Sequence, residues 1–102
     1  MTTAKKSAKI PVSNVNHPQL VRNLDAAKYD AVKIALLKVL PKKTPGLTQI
    51  QLRGETAYHL PEHLFLNGEK SAWWIRSVQL DLAAKGIIAR EENAHPLRWY
   101  KV

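Results

Sequence analysis

The chain has 102 residues, 45% of them apolar and 24% charged, which allows one modest core and is too apolar for wholesale disorder. It contains no cysteine, so disulfides, thiol nucleophiles and cysteine-ligated zinc are excluded together. Its 16 Lys and Arg against 8 Asp and Glu leave a net charge of +8, an excess that points to an anionic partner such as nucleic acid or a membrane surface.

Residues 1–24 hold Lys5, Lys6, Lys9 and Arg22 and no acid. Pro11, Ser13, Asn14, Asn16 and Pro18 punctuate the stretch, and its apolar residues follow no sustained period. A flexible basic arm is therefore expected over 1–24, with the folded domain over 25–102. The basic start is followed by no apolar core of a signal peptide, so a cytoplasmic protein is expected, although an acid-free leader also fits an organellar address.

Asp25 is a good N-cap for a first helix, along which Tyr29, Val32, Leu36, Leu37 and Leu40 recur at helical spacing until Pro41. A small strand is expected at Gly46–Thr48. Thr48 and Gln51 have capping-box spacing and open a second helix with Ile50, Gly54, Ala57 and Tyr58 on one face, ended by Pro61. Asn67-Gly68 marks a turn. A third helix is predicted from Ser71 to Lys85, closed by Gly86 at the position that favours a left-handed residue. Residues 87–91 and 96–101 then read as two strands of a hairpin.

The longest aliphatic run, Ile34 to Leu37, is far short of the roughly 20 residues that span a bilayer. Pro11 and Pro18 also argue against a membrane-lying helix in the arm, so no membrane partner is expected.

The fold class expected is mainly α with a small β-hairpin. The order of helix, small strand, helix, helix and hairpin is similar to the winged-helix arrangement, chiefly through the stretch from Trp73 to Ile88 with its Leu82-x-x-x-Gly86-Ile87-Ile88 ending. About three quarters of the chain also resembles a small uncharacterised bacterial family. The shared segments are Pro45-Gly46-Leu47-Thr48, Trp73-Trp74, Leu80-Asp81-Leu82-x-x-Lys85-Gly86 and Pro96-Leu97-Arg98-Trp99. The winged-helix resemblance implies that the third helix enters the DNA major groove and that the hairpin is the wing. The connection from Leu60 to Lys70 departs from it, being longer than the 3–4 residues of a tight helix-turn-helix.

On the third helix, Ile75, Val78, Gln79 and Leu82 share a core-facing side, opposite Trp73, Arg76, Ser77, Leu80 and Ala84. Arg76 has the planar fork that reads guanine, Ser77 can reach a phosphate or base edge, and Lys70 stands near the positive helix start. Arg90, Arg98 and Lys101 of the hairpin, with Lys5, Lys6 and Lys9 of the arm, complete the expected contacts to double-stranded DNA. Glu91 and Glu92 oppose that role at the hairpin tip, and Trp99 is expected to plug the core.

Trp73 and Leu80 support a second reading: a protein-interaction module with Tyr100 on its contact face. Equally, Leu80 could face a second covering surface such as the arm. A homodimer would suit paired DNA half-sites. Glu55, His59 and His63 step by four, but Pro61 interrupts them and no fourth ligand is evident, so no metal is expected. Ser7, Ser13, Ser71 and Ser77 form no nucleophile elbow, and Gly46 and Gly54 are isolated. Neither catalysis nor a cofactor is expected. The leading expectation is a DNA-binding winged-helix protein acting as a transcriptional regulator.

Overall fold

The computed structural model describes residues 8–17, 19–91, 93 and 95–102. In chain order these form β1 (Lys9–Val12), β2 (Arg22–Asp25), α1 (Ala26–Val39), β3 (Leu47–Thr48), α2 (Gln49–Tyr58), α3 (Ser71–Ala84), β4 (Ile88–Glu91) and β5 (Arg98–Lys101). A 3-10 turn at Leu66–Gly68 precedes α3. The described residues thus make an α+β domain of three helices and two small antiparallel sheets, one ordered β1-β2 and the other β3-β5-β4.

The first sheet corrects the reading of residues 1–24 as an arm. From Lys9 onward the stretch is a hairpin whose strands pair Lys9 with Asp25 and Val12 with Arg22. Ile10 and Val12 alternate with exposed neighbours, and Val12 enters the core. Pro11 is tolerated because both strands of a two-stranded sheet are edges. The hairpin also changes the start of α1. Asp25 occupies the N-cap position but caps nothing with its side chain, and the Ala26 N–H donates instead to the Ala8 carbonyl at 2.8 Å.

Along α1, Tyr29, Val32, Ala35 and Leu36 are buried, and the C-cap residue Leu40 donates its N–H back to the Leu36 carbonyl just before Pro41. The Thr48–Gln51 capping box forms as expected and starts α2. The buried stripe of that helix is different from the one predicted. Ile50 is 76% exposed and Tyr58 85% exposed, whereas Leu52 and Thr56 are fully buried. Apolar residues occur on both sides of α2, and packing against α1 and α3 selects the Leu52 side.

In the long connection to α3, Phe65 is buried edge-on against Trp74, with ring centroids 6.3 Å apart. The helix starts at Ser71 as predicted, and Lys70, in the left-handed region at φ 59°, takes the N-cap position without a side-chain cap. Ile75, Val78, Gln79 and Leu82 are buried as predicted, and Leu80 joins them at 8% exposure. The far end closes in a Schellman motif. Gly86 adopts φ 75°, its N–H meets the Ala83 carbonyl, and the Ile87 N–H meets that of Leu82.

The C-terminal strands are shorter than predicted, so Pro96 lies outside β5. That strand is central in its sheet, pairing Trp99 with Leu47 on one side and with Arg90 on the other. Trp99 is buried and fills the space between the hairpin and the helices.

Candidate nucleic-acid interface

The site is built on the part of α3 that escapes burial. Its outward stripe carries Trp73, 44% exposed, and the exposed Arg76, with Ser77 half-buried beside them. Leu80, expected on this stripe, is covered by the β1–β2 connection, where the Val15 N–H donates to the Leu80 carbonyl at 3.3 Å. One hairpin therefore flanks α3 on each side.

The covering hairpin is pinned by Asp81. This fully buried carboxylate accepts from the Ser13 N–H and from Lys85 Nζ, each at 2.7 Å, and from the Tyr29 hydroxyl. Burial holds the Tyr29 hydroxyl far above its ordinary value of 10.0. The hydrogen bond to Asp81 adds to the shift, and so do the charges of Asp81 and Asp30. The Lys85 ammonium also lies 5.6 Å from the Tyr29 ring centre.

On the other flank, Arg76 is held by a polar chain that begins in the core. The buried Gln79 amide exchanges two hydrogen bonds with Gln49, at 2.8 and 2.9 Å. Gln49 Oε1 also accepts from Arg76 Nη1 at 2.9 Å. Burying Gln79 is tolerable only because both ends of its amide are satisfied. The consequence is an Arg76 guanidinium leaning toward α2.

There it shares a groove of about 390 Å³ with Arg53 of α2 and Arg90 of β4, floored by Leu97 and Trp99. None of the described residues lining this groove is acidic. The Arg90 guanidinium sits 5.8 Å from the Trp99 ring centre, so the core plug also supports a surface cation. Three guanidinium groups from three elements thus surround one opening.

The remaining expected contacts do not gather here. Arg98 Nη1 donates to the Gly46 carbonyl at 3.0 Å, and Lys101 Nζ to the Leu37 carbonyl at 2.7 Å, so both tie the sheet to its surroundings. Lys70 lines a separate groove with Lys28, His63, Phe65 and Glu69. Ser77 faces the β1–β2 side of α3. Lys9 lies exposed on β1, while Lys5 and Lys6 fall outside the described residues.

Arg53 was missed because residues 25–69 are nearly balanced in charge. The available signal was its position four residues after Gln49, one turn along the same helix face. Glu55 and His59 are both exposed, and His63 belongs to the groove beside Lys70. Among the described residues no three His, Asp or Glu side chains are placed to hold a metal ion, and no helix is long and apolar enough to cross a membrane.

Residues 9–99 match the profile of a family described as "Family of unknown function (DUF6958)". No curated protein and no solved structure matches the chain.

Proposed function

We propose that this chain, which belongs to the DUF6958 family, binds double-stranded DNA through α3 and the β4–β5 hairpin. The observation that carries the reading is the acid-free groove where Arg53, Arg76 and Arg90 meet beside the exposed stripe of α3. A phosphate backbone carries regularly spaced charge that such a groove can neutralise, and contacts of this kind dominate affinity for DNA. The element order from α1 to β5 and the strand order β3-β5-β4 are also similar to a winged-helix arrangement, which favours α3 as the groove-entering helix. Arg76 is the candidate base reader on that helix, with Arg53 and Arg90 on phosphates.

Fluorescence anisotropy with mixed-sequence duplexes tests the reading. Binding should weaken with salt at a slope of about 0.9 per phosphate neutralised. Arg53→Gln and Arg90→Gln should each lower that slope by roughly one. Arg76→Ala should also relax sequence preference, at a cost of about 1–3 kcal/mol on the favoured site. Absence of any duplex binding at roughly 50 mM salt would refute the function.

A further inference from the structure

On the opposite flank of α3, the β1–β2 hairpin encloses a second groove of about 310 Å³. We propose that this groove is a binding site for a small organic carboxylate bearing one apolar ring. Arg22 of the hairpin and Arg76 of α3 both line it; the Arg76 guanidinium leans to the other flank through Gln49, so Arg22 supplies the cation here. No carboxylate pairs with either arginine among the described residues, and none of the described lining residues is acidic.

Much of the rest of the lining is apolar. Leu24 and Leu80 contribute to it, and the half-exposed Trp73 stands where its ring can meet another. Ser77 adds a hydroxyl able to donate to a carboxylate oxygen.

Charge and shape together select the ligand. The Arg22 guanidinium fork matches a planar carboxylate, which accepts paired N–H bonds. A bare inorganic anion would leave Trp73 uncovered, and a neutral ring would leave Arg22 without a partner. The volume lies at the small end of the roughly 300–1,000 Å³ usual for small-molecule sites, which suits a single ring. This inference stands apart from the DNA reading, because it needs no duplex.

The test is calorimetric titration of the full chain, without DNA, by phenylacetate, with tryptophan fluorescence as a second readout. The neutral analogue 2-phenylacetamide and the ringless anion acetate serve as controls. Saturable phenylacetate binding is expected, with a dissociation constant of about 1 mM or tighter. Each control should bind at least about tenfold more weakly, and Arg22→Gln should weaken phenylacetate by a similar factor.

Arg22 is exposed, so the variant should keep its hairpin, checked by its unfolding midpoint. The analogue comparison on the unaltered protein decides the matter if it does not. No saturation by about 20 mM, equal binding of the amide, or full affinity in a folded Arg22→Gln protein would each overturn the proposal.

Discussion

Asp81 ties the end of α3 to two distant parts of the chain, since it accepts from the Ser13 backbone and the Tyr29 hydroxyl as well as from the neighbouring Lys85 ammonium. In the sequence it is merely the lone acid of a basic segment. Its burial was illegible there because a carboxylate is by default a surface residue, and Ser13 and Tyr29 stand 68 and 52 positions away. Asp81→Ala should cost about 2–5 kcal/mol in urea unfolding, because it leaves the Ser13 N–H and the buried Tyr29 hydroxyl without their acceptor, while the partly exposed Lys85 can turn to water. Tyr29→Phe should cost about 1.5–3 kcal/mol, the range for a hydrogen bond to a charged group. The raised Tyr29 value also fixes a sign. The fold favours the protonated hydroxyl, so this contribution is complete below about pH 10 and is lost as pH rises beyond it. Urea midpoints at pH 9 and 11 should therefore converge between Tyr29→Phe and the parent.

Elements with a local signature were the ones the sequence disclosed. Thr48 and Gln51 reciprocate within four residues, and Gly86 ends α3 through its own left-handed backbone, so these boundaries appear without tertiary knowledge. The buried side of α2 and the β1–β2 hairpin depend on neighbours instead. Both sides of α2 offer apolar residues, so the helical pattern alone does not choose Leu52 over Ile50. The hairpin was obscured by Pro11, although Ile10 and Val12 already showed a strand's alternation. At β3, a two-residue strand is stabilised by close approach: a Cβ on Gly46 would lie 2.0 Å from the Trp99 carbonyl oxygen, at a φ of 81°. Gly46→Ala should add about 1–3 kcal/mol of backbone strain to that clash. It should also loosen the carbonyl that Arg98 binds. A lowered melting temperature with loss of near-ultraviolet signal from Trp99 would register both effects, while an unchanged melt would contradict the close approach.

For the whole molecule, the folded β1–β2 hairpin determines where part of the net charge of +8 sits. Lys9 and Arg22 belong to a folded hairpin, and Lys85 is paired with Asp81. Arg53 instead joins Arg76 and Arg90 in the cationic groove. Three-dimensional convergence, which a segment-by-segment count cannot register, places that groove beside α3. Deleting residues 1–20 should therefore destabilise the domain, because it removes Val12 from the core and Ser13 from Asp81. A second deletion, of residues 1–7 alone, separates the lysines of the N-terminus from the hairpin. Any flattening of the salt slope in that shorter deletion would report Lys5 and Lys6 on phosphates.

The central position of β5 also governs when the molecule can finish folding during synthesis. The partners of β3 lie 50 or more positions downstream, with Thr48 pairing Arg98 and Leu47 pairing Trp99. At roughly 5–20 residues per second, a growing chain carries β3 unpaired for about 3–10 s. Gly46 meanwhile faces no Trp99 backbone, and the space filled by Trp99 stays open. The cationic groove closes only when Leu97 and Trp99 arrive to line it.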